Sequence, residues 1–159
     1  MVGNVRAFLD MIAVSEIGRE LLKVSDNGYD VIVGSTPEQP HLFTSYADHP
    51  RVLVTLRPGL QSTAAGRYQI LERYFDAYKA RLRLPDFSPA SQDRIAEQML
   101  YECGAPLALA AGDFTTAVRR CRGRWASLPG AGYTQHENGL SDLRAAYVQA
   151  GGTLKGAMA

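Results

Sequence analysis

At 159 residues, with 46% hydrophobic and 21% charged side chains, the chain has the make-up of a soluble globular protein, long enough to bury a core without disulfide or metal staples. A formal net charge of +1 gives no overall pull toward nucleic acid or an anionic membrane, and no run approaches the roughly 18 apolar residues of a membrane span. Two cysteines, Cys103 and Cys121, fit no disulfide framework and no metal-ligand spacing, so a free buried pair is the default.

The first element is a helix. Val5, Phe8, Leu9 and Ile12 recur at helical steps and predict an amphipathic helix from about Val5 to Arg19. Continued by four, its apolar stripe lands on Glu16, where an apolar residue is expected. A carboxyl group on an apolar face loses hydration, which raises its pKa and suits it to general-acid chemistry. The alternative is a helix that ends at Gly18, leaving Glu16 at the core rim with its head in water. The segment alone favours that second reading.

From Tyr29 the texture changes. Tyr29–Gly34, Leu42–Thr44 and Val52–Val54 are short and β-branched or aromatic, as strands are, with Ser35–Pro40 and Asp48-His49-Pro50 turning between them. After Pro58-Gly59 the spacing of Ala64, Tyr68, Leu71, Phe75, Tyr78 and Leu82 predicts one long helix that stops before Pro85. Ser88 as N-cap and Pro89 at the first helical position start the next, which carries Ile95, Met99 and Leu100 and ends near Gly104. A short helix over Pro106–Ala111, one capped by Asp113, a Pro/Gly loop over Leu128–Tyr133 and a last helix over about Gly139–Gln149 complete the chain. The expected fold class is α+β: a single domain over residues 1–159, mostly helical, with a small antiparallel β lobe at about residues 29–56 in the N-terminal third.

Several groups of residues bear on chemistry. Ser62–Gln69 combines small residues that permit close approach with Tyr68 and Gln69, an aromatic and an amide of the kind that sugars stack on and pair with; a helix start with packing residues accounts for it equally well. Trp125–Tyr133 is a connector or a cleft rim, with Tyr133 and Gln135 its better ligand candidates. Asp30 either lines a cleft or caps a turn. His41, His49 and His136 match no zinc motif, so no metal and no cofactor is expected. Ser15, Ser62 and Ser127 sit in no nucleophile elbow. Arg119, Arg120, Arg122 and Arg124 read as a solvated helix face before they read as a polyanion contact.

Taken in order, these segments resemble the bacteriophage lambda endolysin family, murein transglycosylases with a lysozyme-like fold. The resemblance runs through Phe8-Leu9-Asp10-Met11, Ser15-Glu16, Gly28–Gly34, Asp48–Arg51, Leu53–Leu56, Ser62-Thr63 with Gly66–Gln69, Asp86–Pro89, Ser91-Gln92-Asp93, Trp125–Tyr133 and Ala150–Thr153. It implies that Glu16 is the catalytic acid. It also implies cleavage of the β-1,4 bond between N-acetylmuramic acid and N-acetylglucosamine with a 1,6-anhydro product. That outcome accounts for the lack of an evident second carboxylate, which a water-using glycosidase needs.

With it, the candidate substrate-binding residues are Asp30, Tyr46, Ser62, Tyr68, Gln69, Tyr133 and Gln135. The expected partner is the peptidoglycan glycan strand, met by a monomer with no nucleic-acid or membrane-inserting role. No export signal is evident, so the expected location is the host cytoplasm, with a holin-type partner releasing the protein to the periplasmic wall at lysis. The alternatives are a hydrolytic muramidase, a non-catalytic wall-binding module, a zinc amidase and a plain helical scaffold. The chain departs from the family pattern at Ile17-Gly18, in a connection from Glu16 to Gly28 one residue shorter, in a longer Ser35–His41, at Ala47 and Ala64, and at Cys103, which has no family counterpart and argues against an inherited disulfide.

Overall fold

The computed structural model describes residues 3–132 and 137–156. The chain divides into two compact units, one of Met1–Glu16 with Ala96–Ala159 and one of Ile17–Ile95.

The first unit holds α1 (Gly3–Ile17) up to Glu16. Ala7, Met11 and Ala13 are as fully buried as Phe8, Leu9 and Ile12, so α1 is enclosed on more than the one stripe its sequence period marks. Phe8 packs edge-on against Phe114 and Tyr147, with ring centroids 6.0 and 6.3 Å away, and those two rings lie 5.0 Å from each other. They bring together α1, α6 (Phe114–Cys121) and α7 (Leu140–Gln149). Asp113 caps α6 as expected, its carboxylate accepting the Thr116 N–H at 3.0 Å. α5 (Ala105–Ala110) takes Pro106 in its first turn, where the missing N–H costs nothing. Cys103 and Cys121 are free thiols, Cys121 buried and Cys103 partly so.

In the second unit the β-branched run near residue 31 forms isolated bridges, Val31 to Leu42 and Ile32 to Ala65, where strands were expected. The sheet proper is a hairpin of β1 (Val54–Arg57) and β2 (Leu60–Ser62), turned at Pro58-Gly59 and paired Val54 to Ser62. Four helical pieces accompany it: Ile17, which closes α1; α2 (Arg19–Val24); α3 (Glu72–Leu82); and the first part of α4 (Pro89–Cys103). Gly18, at φ 84°, ends α1 and precedes α2, so the predicted single helix to Arg19 is two.

A second correction concerns residues 62–71. The predicted long helix begins only at Glu72, and the segment before it is β2 and a tight turn with positive φ at Gly66 and Gln69. The cause is tertiary. A Cβ on Gly66 would lie 2.2 Å from the side-chain oxygen of Gln92. Gln92 is fully buried and uses its whole amide: Oε1 accepts the Arg67 N–H at 3.0 Å, and Nε2 donates to the Tyr29 and Phe87 carbonyls at 3.0 and 2.9 Å. One side chain thereby satisfies three backbone groups that would otherwise be stranded in the core. Those bonds outweigh a helical period that Ala64, Tyr68 and Leu71 satisfy by spacing alone.

Buried His49 completes this unit's core. Its Nδ1 accepts the Arg51 N–H at 3.0 Å, so the proton sits on Nε2, which donates to the Ile70 carbonyl at 2.9 Å. Burial holds its pKa down and the ring neutral, against Phe75 and Phe87. Among the described residues, no group of three or more His, Cys, Asp or Glu could hold a metal, and no helix is long and apolar enough to cross a membrane.

Candidate active site

Glu16 stands in the last turn of α1, one residue before the helix stops. The position combines the two sequence readings, since the helix does end at Gly18 and the carboxyl is nonetheless desolvated. Its residue keeps a partly accessible surface, while the acid group is surrounded closely enough that burial raises its pKa from 4.5 to about 7. Two smaller effects oppose burial, the Ser127 hydroxyl and the Ser127 backbone N–H, both of which favour the charged form. The hydroxyl donates to Glu16 Oε1 at 2.6 Å.

Ser127 is placed by the loop that follows α6. Trp125 and Leu128 are buried and anchor it, and the Leu128 N–H turns back onto the Trp125 carbonyl at 3.2 Å. The glycine-rich stretch beyond is pinned by Glu137, whose carboxylate accepts the Gly130 and Gly132 N–H groups, each at 3.1 Å. These donors hold the Glu137 pKa below its usual range, so it is a charged structural clasp. Asn138 then donates its own N–H to the Ser127 carbonyl at 2.8 Å. Its side-chain Nδ2 donates to Ser15 Oγ at 3.0 Å, and Ser15 Oγ lies 2.7 Å from Ser127 Oγ. Sequence reasoning dismissed Ser15 and Ser127 as nucleophiles and missed Asn138; for the two serines the signals available were the Ser-Glu pair and the Trp125–Tyr133 stretch, and for Asn138 there was none.

A carboxyl group with a pKa of about 7 is divided between acid and base near neutrality, the condition under which one residue can give a proton in one step and take one back in the next. Burial and the Ser127 contacts are the causes of the shift, and no second acidic side chain among the described residues contributes to it.

The other predicted residues lie in the second unit or outside the description. Tyr68 is only 1% exposed, and its hydroxyl donates to Asp93 at 2.6 Å beside the Tyr29 hydroxyl, which donates to the same oxygen at 2.8 Å. A ring that sugars stack on needs an open face; within this unit Tyr68 is a core residue. Gln69 sits at φ 49° and spends its amide on the Gly66 carbonyl at 2.9 Å. Ser62 Oγ accepts the Ala64 N–H at 3.1 Å, an ordinary turn bond. Asp30 caps a turn, its Oδ1 accepting the Asp26 N–H at 2.9 Å. Tyr46 donates to Asp26 at 2.5 Å, and burial together with that carboxylate raises its pKa. Tyr133 and Gln135 lie outside the described residues.

A family model described as Endolysin matches residues 6–154. The chain belongs to the Endolysin family. It is 52% identical to the endolysin of Escherichia phage lambda over 153 residues, covering 94% of this chain and 92% of that one. It is 47% identical to the endolysin of Escherichia phage P2 over 154 residues, covering 94% and 93%. Among solved structures it resembles the bacteriophage lambda lysozyme complexed with a chitohexasaccharide, with a TM-score of 0.89 and 50% identity over 98% of both chains. A second structure of lysozyme from bacteriophage lambda gives a TM-score of 0.85, again at 50% identity over 98% of both. The lysozyme-like α+β fold read from the sequence is thus the fold of the chain.

Proposed function

We propose that this endolysin cleaves the glycan strands of peptidoglycan at the β-1,4 bond between N-acetylmuramic acid and N-acetylglucosamine, by transglycosylation, with Glu16 as acid and then base. The observation that carries the reading is the desolvated Glu16 carboxyl, poised near pH 7 with Ser127 as its hydrogen-bond partner. The glycan substrate is supported by the oligosaccharide complex of the lambda lysozyme that this chain resembles.

In the first step the protonated carboxyl gives its proton to the departing glycosidic oxygen as the C1–O bond breaks, and positive charge spreads over C1 and the ring oxygen. The resulting carboxylate then takes the proton of the muramic acid 6-hydroxyl as that oxygen bonds to C1, closing the 1,6-anhydro ring. Glu16 ends as it began, protonated, and no water is consumed. Hydrolysis on the same bond is the second reading; there the carboxylate would take its proton from water, and a second carboxylate is the usual companion.

Glu16→Gln tests the assignment. It should lower lysis of a murein suspension by at least about a hundredfold; full lytic activity would overturn it, as would loss of the wild-type activity in chelator, which points to a zinc amidase. A variant that still sediments with murein would show binding without cleavage. We also propose that the protein acts as a monomer on periplasmic peptidoglycan, reached from the host cytoplasm through a membrane-permeabilising partner of the holin type. Expression with and without such a partner, followed by culture turbidity, tests that route.

A further inference from the structure

We propose that Asn138 sets the direction of a hydrogen-bond relay through Ser15 and Ser127, which keeps Glu16 Oε1 as an acceptor and leaves the transferable proton on Oε2. The proposal rests on the reading of Glu16 as the catalytic acid, and it makes Asn138 and Ser15 positioning residues for that acid.

The direction follows from which groups have a choice. A hydroxyl can donate or accept, so the two serines by themselves could point their hydrogens either way. The Asn138 amide removes the choice. Its nitrogen lies 3.0 Å from Ser15 Oγ, 3.1 Å from the Ser15 carbonyl oxygen and 3.4 Å from the Ser127 carbonyl oxygen. The two carbonyls accept only, so the amide edge that faces them is the NH2, and the opposite rotamer would set three oxygens together. An NH2 has two hydrogens, and its two shortest contacts, Ser15 Oγ at 3.0 Å and the Ser15 carbonyl at 3.1 Å, take them; Ser15 Oγ thus accepts from Asn138 and has its single hydrogen for Ser127 Oγ at 2.7 Å. Ser127 Oγ accepts there and has one hydrogen left, which it gives to Glu16 Oε1 at 2.6 Å.

A reversed chain would leave the Ser15 hydrogen directed at an amide NH2. It would also require the acidic proton on Oε1, buried against Ser127. With the chain directed as it is, Oε1 already accepts the Ser127 hydrogen on the side where its own proton would have to point, and protonation falls on Oε2. An acid transfers its proton only from an oxygen that can reach the substrate, so the relay selects which oxygen does the chemistry. Each donor also polarises the next, strengthening the bond that reaches the carboxylate.

The charged surroundings leave the effect readable. On α1 the flanking residues are Ser15 and Ile17, and the loop reaches Glu16 through Ser127 alone in the contacts that shift it. Glu137, next to Asn138, has its carboxylate engaged by Gly130 and Gly132. No charged or titratable side chain among the described residues contributes to the Glu16 shift.

The test compares wild type, Asn138→Leu, Ser15→Ala and the double variant, with two readouts. One is the titration of the Glu16 side-chain carbon by NMR; the other is the pH profile of murein cleavage, resolved into kcat and KM. Either single change should raise the Glu16 midpoint by about one pH unit, equivalent to a charge-assisted hydrogen bond weakened by about 1.4 kcal/mol. Either should lower kcat about tenfold with KM within about twofold, and the double variant should match the single ones because the relay is already cut. Asn138 also braces two carbonyls, which Asn138→Leu releases; Ser15→Ala, a favourable change inside a helix, leaves them in place and carries the test where Asn138→Leu loses its fold. An unmoved Glu16 midpoint in Ser15→Ala, or shifts that add in the double variant, would overturn the relay. The titration needs no substrate, so a wild type that failed to cleave murein would defeat the functional reading and leave the relay to be judged on its own.

Discussion

Glu16→Gln should lose activity and, as pH rises, gain stability relative to wild type. Burial raises the Glu16 pKa from 4.5, its value in the unfolded chain, to about 7 in the folded one. The folded state thus binds this proton more tightly, and its stability falls as pH rises through the interval between the two values. Below about 4.5 both states are protonated and nothing is lost; above about 7 both are ionised and the loss is complete. The interval corresponds to about 3 kcal/mol. Glutamine keeps the shape and an oxygen for Ser127 to donate to, and it carries no proton to release. Urea unfolding of wild type and Glu16→Gln from pH 4 to pH 8 measures the gap directly. Whatever the constant offset between the two proteins, the variant's advantage should widen by about 3 kcal/mol across that range and then level off. A gap independent of pH would refute the claim that Glu16 is desolvated in the folded state.

Other consequences are independent of that acid. Gly66→Ala should lower stability by about 4 kcal/mol or more in the same unfolding assay, since its Cβ would meet the Gln92 side-chain oxygen at 2.2 Å and loosen a buried amide with three backbone partners; a loss under about 1 kcal/mol would contradict the bracing role of Gln92. Asp113→Ala removes the cap of α6 and should cost about 1 kcal/mol, with Asp113→Ser restoring most of it. Cys103, whose thiol is lowered to about 7 by the Cys121 and Arg124 side chains, should be alkylated first at neutral pH, with buried Cys121 labelled only after unfolding; peptide mass mapping of a short iodoacetamide pulse decides the order.

What the sequence reveals and what it conceals divide along a physical line. Helix starts and stops rest on local chemistry, so Ser88-Pro89, Asp113 and Gly104 mark their boundaries where the structure has them. Glu16 is visible because a polar residue on an apolar stripe is a local anomaly. Residues 62–71 are hidden because their conformation is decided by Gln92, more than twenty positions away, while their own spacing mimics a helix. Tyr68 shows why side-chain type is a weak guide to a binding surface: its ring is equally suited to a sugar platform and to the core position, hydrogen-bonded to Asp93, that it occupies. Asn138 is undetectable from sequence, because its role depends on loop closure bringing residues 15, 127 and 138 together.

In the reaction proposed above, Glu16 needs no second carboxylate, because the sugar's own hydroxyl replaces water. Mass spectrometry of the muropeptides released from purified murein tests it most directly. Transglycosylation predicts muramic ends in the 1,6-anhydro form, each lighter by one water than a reducing end, and no incorporation of heavy oxygen when the digest is run in labelled water. Reducing muramic ends carrying the solvent's oxygen would contradict it and make the protein a hydrolytic lysozyme.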